Sequence, residues 1–187
     1  TKDELAKIGA LCRKYNVTVI SDEIHCDITA PGKSYVPFAA ASKDCADISI
    51  TCIAPTKCFN MAGLQTAAVM VPNKFLRHKV WRALNTDEVA EPNAFAITAA
   101  VAAFTKGEPW LEELRKYLWE NRKTVCDFMA ENLPQIHVVD ADATYLMWLD
   151  CSALTDDSVA FTQMIREKTG LYLSEGAEFG GNGRYFV

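Results

Sequence analysis

The chain has 187 residues, half of them apolar, and a net charge of −5. That balance suits one large packed core or two modest ones. It argues against nucleic acid, because no Lys/Arg cluster forms a face that could track a phosphate backbone. It also argues against a membrane span, because no apolar stretch approaches the ~20 residues one needs.

Residues 1–16 read as a helix. Thr1 with Glu4 three positions on has the pattern of a capping box, and Leu5, Ile8, Leu11, Cys12 and Tyr15 recur at helical spacing. The apolar run at 17–20 is expected to be a strand buried on both faces. Pro31-Gly32-Lys33-Ser34 marks a turn, and Pro37 opens a further irregular stretch. Residues 48–53 read as a second strand and 66–71 as a third, ended by Pro72-Asn73. A helix follows over 75–84, with Arg77, His78, Lys79 and Arg82 on its polar side. The alanine-rich stretch 94–105 is expected to be a buried helix. Lys106-Gly107-Glu108-Pro109 is a break. Residues 110–132 form a long amphipathic pattern, with Leu111, Leu114, Leu118, Val125, Phe128 and Met129 inward. Strands are expected at 136–139, 144–149 and 171–174, a helix at 158–169 terminated by Gly170, and the start of a strand at 183–187. This order implies an α/β class. Residues 1–108 would form part of a sheet with helices on its faces, and residues 109–187 a smaller α+β domain with a long linking helix. A chain that begins without Met and stops within a strand is expected to be a piece of something longer.

Seven cysteines occur, an odd number with no C-x-x-C pair, several of them in apolar runs (Cys12, Cys52, Cys126). Reduced thiols acting as small hydrophobes in a cytoplasmic protein are the expectation.

Chemistry concentrates at two strand ends. The first strand runs into Ser21-Asp22-Glu23-Ile24-His25, and the second into Ala54-Pro55-Thr56-Lys57-Cys58-Phe59-Asn60. One end thus offers a carboxylate and the other an amine. A lysine at the mouth of a buried strand pair is expected to be poorly solvated, which suits Schiff-base chemistry with a carbonyl cofactor.

These two segments, with Met61-Ala62-Gly63-Leu64 after the second, resemble the class I/II aminotransferase-like, fold-type I pyridoxal-phosphate enzymes. Within that group they look most like the cystathionine β-lyase (C–S lyase) branch. Thr144-Tyr145-Leu146-Met147-Trp148-Leu149-Asp150 and Phe179-Gly180-Gly181-Asn182-Gly183 are similar to it as well. The resemblance implies the C-terminal part of an aspartate aminotransferase-like chain: a portion of the large-domain sheet plus the smaller α+β domain. It implies pyridoxal 5'-phosphate as cofactor. Lys57 would hold the cofactor and act as the general base, and Asp22 would keep a proton on the ring nitrogen. His25 would reach the phenolic oxygen, where related aminotransferases usually carry Tyr, and Thr56 would give its hydroxyl to the phosphate.

Two positions depart from the common aminotransferase pattern. Ala54 and Gln65 stand where many of those enzymes place a serine and an arginine on the phosphate. This moves the expected reaction from transamination toward β-elimination from a sulfur-containing amino acid, giving a thiol, pyruvate and ammonia. Transamination remains the alternative, and a cofactor-binding regulatory domain is a third reading. A homodimer is implied by the resemblance alone. The family's stacking aromatic, phosphate loop and carboxylate-binding arginine are expected outside these residues, so residues 1–187 by themselves are expected to be catalytically silent. His78 and His137 read as structural, Trp148 as packing, and Arg184 as a hairpin residue.

Overall fold

A computed structural model describes every residue from Thr1 to Val187. Two compact units are present, Thr1–Arg115 and Lys116–Val187. No helix is long and apolar enough to cross a membrane.

The first unit begins with α1 (Lys2–Lys14). The capping box forms as expected: Thr1 Oγ1 accepts the Glu4 N–H, and the Glu4 carboxylate returns to the backbone nitrogen of Thr1 at 2.7 Å. Asp3 and Glu4 lie in the first turn and Arg13 and Lys14 in the last, each complementing the helix dipole. β1 (Val19–Asp22) and β2 (Ser49–Ile53) pair in parallel, with Val19 opposite Ser49 and Asp22 opposite Cys52. A parallel pair needs a crossover, and here it contains α2 (Phe38–Ala41) and α3 (Lys43–Ile48). α4 (Pro55–Cys58) follows β2, and β3 (Ala68–Met70) then returns antiparallel to it, giving the order β1-β2-β3. α5 (Lys74–Thr86), α6 (Ala96–Lys106) and the first turns of α7 (Glu108–Asn132) complete the unit.

The core is Phe38, Ala41, Cys45 and Ile48, with Leu5, Cys12 and Val19 packed against it. α1 and α3 approach so closely that a Cβ added at Gly9 would stand 2.3 Å from Cys45 Sγ. Two expectations about burial are corrected. β1 starts two residues later than the apolar run suggested, and it is covered on one face only: Val19 and Ser21 are half-buried while Ile20 is 71% exposed. In the alanine-rich α6 only Ala96 is buried, and Ile97, Val101 and Phe104 face solvent. Both segments are apolar enough to be covered, but Ile20, Ile97 and Val101 stay exposed, and Phe104 is met only edge-on by Phe59.

The division between units falls inside α7, after Arg115, whereas the break expected near residue 108 is the turn between α6 and α7. In the second unit, β4 (His137–Val138) pairs antiparallel with β5 (Leu149–Asp150). β5 is shorter than expected because Thr144 adopts φ 66° and its hydroxyl accepts the Leu146 N–H, which turns the chain. α8 (Ser158–Thr169) is capped by Asp157, whose Oδ1 accepts from the N–H groups of Val159 and Ala160, and it ends at Gly170 with φ 77°. Residues 171–174 do not form the expected strand, and Phe128 is exposed rather than inward. Residues 183–185 form a 3₁₀ turn in place of a strand, although Val187 and Leu149 exchange two backbone hydrogen bonds just beyond it. Arg184 therefore lies in that turn, over the ring of Tyr185. Trp148 packs as expected, stacked on Phe186 and edge-on to Phe179.

Candidate active site

The C-terminal edge of the parallel pair carries the residues of interest. β1 ends at Asp22. Its Oδ1 accepts the Ile24 N–H at 3.2 Å, which starts a tight turn. Cys26 N–H to Glu23 O and Ile28 N–H to His25 O carry the turn on, with His25 half-buried within it. β2 ends at Ile53. Ala54 stays extended, and Pro55 occupies the first turn of α4, where its missing N–H costs nothing. Thr56 and Lys57 follow on α4, Thr56 half-buried and Lys57 exposed. The Phe59 N–H bonds to Pro55 O and the Met61 N–H to Thr56 O, and Asn60 at φ 52° turns the chain away. Asp22, His25, Thr56 and Lys57 thus share one end of two neighbouring parallel strands, the end at which open α/β sheets bind ligands. The expectation of poor solvation for Lys57 is not met. The lysine is exposed, as is the β1 face bearing Ile20 and Asp22.

Four groups near this edge were not singled out by sequence reasoning. Glu23 is 4% exposed, and its Oε1 accepts from Ser21 Oγ at 2.9 Å and from the Phe38 N–H at 3.0 Å. Strand alternation sends it to the face opposite Asp22; that alternation was the available signal. The Asp27 carboxylate charge acts on the thiols of both Cys26 and Cys58, and Cys58 Sγ donates to Ala54 O at 3.8 Å. Burial, chiefly, and then the Asp27 charge push each of these thiols up to about 12. Arg115, from α7, donates to the carbonyls of Thr29, Ala30 and Lys33 and to Thr29 Oγ1, fixing the loop after the turn. Phe59 sits between Phe104, edge-on at 6.0 Å, and Trp110 at 5.8 Å. No sequence pattern marks Arg115, because its partners are mostly backbone atoms distant along the chain.

The donor set fits an aldehyde cofactor with a basic ring nitrogen in part. One primary amine and one carboxylate stand on the same strand edge. The phosphate end fits less well: Ala54 is apolar and buried, and Gln65 is exposed in a left-handed turn at φ 47°. An apolar cavity of about 770 Å³ lies in the second unit, lined by Val125, Met129, Trp148, Leu171, Phe179 and Val187 among others, and none of the four candidate residues lines it.

Comparison with known proteins bears on this edge. The family profile "Aminotransferase class I and II" matches residues 1–185. Cystathionine beta-lyase PatB of Bacillus subtilis (strain 168) is 41% identical over 187 residues, covering 100% of this chain and 48% of that protein. Protein MalY of Escherichia coli (strain K12) is 33% identical over 189 residues, with 100% and 47% covered. Among solved structures, cystalysin from Treponema denticola, described as containing a pyridoxal 5'-phosphate cofactor, superposes with a TM-score of 0.94 at 30% identity, covering 100% of this chain and 47% of that one. A PLP-bound putative aminotransferase from Clostridium difficile 630 gives a TM-score of 0.93 at 37% identity, with 100% and 48% covered. The chain spans about half the length of the curated relatives it matches.

Proposed function

The chain belongs to the aminotransferase class I and II family, and from that premise we propose that it is part of a pyridoxal 5'-phosphate-dependent carbon–sulfur β-lyase acting on a sulfur-containing amino acid such as cystathionine. The observation that carries this reading is the placement of Asp22 and Lys57 at the same end of adjacent parallel strands, in a chain whose similar relatives include cystathionine β-lyases.

When bound, the cofactor supplies an electron sink for the substrate Cα–H bond. The chain's own residues divide the remaining work. The Lys57 amine anchors the aldehyde and, once displaced, takes the α-proton; its exposure leaves it free to swing between the two tasks. The Asp22 carboxylate, held by the Ile24 N–H, keeps a proton on the ring nitrogen. His25 offers a hydrogen bond to the phenolic oxygen from the turn after β1, and Thr56 offers its hydroxyl toward the phosphate. Neither Ala54 nor Gln65 supplies a cation there, so phosphate charge is met by groups beyond these residues. The first unit is read as part of the cofactor-binding domain and the second as part of the smaller domain. A cytoplasmic homodimer completes the reading.

The test is pyruvate release from L-cystathionine by the full-length protein carrying this chain. Release of pyruvate and thiol is expected, whereas residues 1–187 alone, with Asp22 and Lys57 on an open face, are expected to give none. Absence of pyruvate together with amino transfer to a keto acid would overturn the lyase reading. That outcome would favour the aminotransferase alternative, which the 37% identity to the putative aminotransferase structure keeps specific.

A further inference from the structure

We propose that Phe59 is a positioning residue for Lys57: its ring, seated between Phe104 and Trp110 and against Gly107, orients the one-turn helix that carries the lysine. The inference rests on the reading of Lys57 as the cofactor's anchor.

α4 has only four residues and no side-chain cap at its N-terminus. A single turn holds its direction poorly by its own hydrogen bonds. Those bonds are local here. The Phe59 N–H donates to Pro55 O at 2.9 Å, and the Cys58 thiol donates to Ala54 O at 3.8 Å. Both close the turn on itself and refer its direction to nothing outside it. Pro55 and Cys58 bury one side of the turn, and Lys57 lies on the exposed side. The ring of Phe59, two residues after the lysine, meets side chains from elsewhere in the fold. Phe104, near the end of α6, stands edge-on at 6.0 Å and 88°. Trp110, in the first turn of α7, lies at 5.8 Å and 31°. Gly107 joins those two helices. Its φ of −84° is open to any residue, so backbone conformation does not require a glycine there. Space requires it: a Cβ would stand 2.4 Å from Phe59 Cε1 and 2.4 Å from Ala103 O. The missing side chain at 107 is thus the floor of the slot that the ring fills. Aromatic pairs prefer particular orientations beyond the area they bury, so the slot sets the ring's direction as well as its depth. A swing of α4 that moved the Lys57 amine would have to lift Phe59 out of it. The turn between α6 and α7, some fifty residues on, thereby sets where the amine points.

The test uses the full-length protein carrying this chain, freed of cofactor, mixed with pyridoxal 5'-phosphate, reduced with borohydride at timed intervals and mapped by peptide mass. In the natural sequence the label is expected on Lys57; a label elsewhere, or none, overturns the cofactor reading, and the proposal with it, before any variant is made. With that label established, Phe59→Ala is expected to slow capture at Lys57 about tenfold or more, since small misplacement of a reacting group is costly. It is also expected to weaken the circular dichroism of the bound cofactor's absorption band, which reports how firmly the lysine holds it. Trp110→Ala opens one wall of the slot at a residue already 48% exposed; the same two effects are expected to a smaller degree, and Trp110→Phe, which restores a ring, is expected to regain most of the loss. Gly107→Ala is expected to slow capture by itself and to add nothing to the slowing in Phe59→Ala, because it acts on the lysine through that ring. Gly9→Ala, which strains the contact between α1 and α3, is expected to lower thermal stability and leave capture and dichroism unchanged. Unchanged capture and dichroism in Trp110→Ala overturns the proposal even if Phe59→Ala does not fold. So does a Gly9→Ala protein that captures the cofactor as slowly as Trp110→Ala at an equal loss of stability, since the aromatic slot would then act through stability alone.

Discussion

Replacing Arg115 by alanine should loosen the loop that follows the candidate site, and the size of the effect can be worked from its contacts. The side chain is 13% exposed. It donates to Thr29 O at 2.9 Å, Thr29 Oγ1 at 2.8 Å, Ala30 O at 3.0 Å and Lys33 O at 3.1 Å. These acceptors are not equal. Ala30 O also accepts the Lys33 N–H, and Thr29 Oγ1 also donates to Lys33 O, so each keeps a partner. Thr29 is 7% exposed, so the bond to its carbonyl is made in a buried setting. Losing a charged hydrogen bond to that carbonyl costs about 1–3 kcal/mol, and weakening the charged bonds to Ala30 adds about 1 kcal/mol. The pair with Glu112, whose side chain is 45% exposed, adds little. Arg115→Ala is therefore expected to cost about 2–4 kcal/mol. Arg115→Lys should cost roughly half that, because an ammonium cannot reproduce the planar fork. Urea denaturation gives the difference, and faster amide exchange confined to residues 28–33 locates it. A change under about 0.5 kcal/mol for the alanine variant, the range of ordinary surface substitutions, would refute the reasoning. So would a lysine variant as unstable as the alanine one.

Glu23→Ala removes the acceptor for the buried Phe38 N–H and should lower stability by about 1–3 kcal/mol, with Glu23→Gln less affected because it keeps an acceptor oxygen; paired thermal melts check this. Cys26 and Cys58 have folded-state values of about 12 against an ordinary 9.0. The native state therefore holds these protons more tightly than the unfolded chain, and their contribution is complete below pH 9 and lost as pH rises toward 12. The urea midpoint should accordingly fall more steeply between pH 8 and pH 10 in the natural protein than in a Cys26→Ala/Cys58→Ala variant; parallel curves would contradict the assignment. Gly9→Ala places a Cβ 2.3 Å from Cys45 Sγ and should destabilise by about 1–3 kcal/mol. Adding Cys45→Ala should recover part of that loss in the same denaturation assay, and no recovery would mean that α1 and α3 separate by another route.

Some elements could be read directly from residues, and others could not. The start of α1 follows from Thr1 with Glu4 and the end of α8 from Gly170, signals that act within a few residues. The strand ends bearing Asp22 and Lys57 were readable because an apolar run that stops at a charged residue marks an edge. α2, α3 and α4 were not, since four to six residues show no helical period. Phe128, Ile20 and the outer residues of α6 were expected inside because apolar pattern reports what could be buried, whereas coverage depends on partners distant in sequence. Arg115 shares that difficulty: it is defined by carbonyls that the fold brings to it.

The bare rim of β1 has a consequence for handling the protein. β1 and β3 are both outer strands of a three-stranded sheet. Ile20 on the one is 71% exposed, and Val69 and Met70 on the other are also exposed. Unpaired strand edges beside apolar side chains template pairing between molecules. A preparation limited to residues 1–187 should therefore self-associate as its concentration rises, and Ile20→Lys should suppress the light scattering that reports it. Scattering equal in the two preparations would place the sticky surface elsewhere. The same strip of chain that presents the candidate carboxylate Asp22 is, when uncovered, a solubility problem.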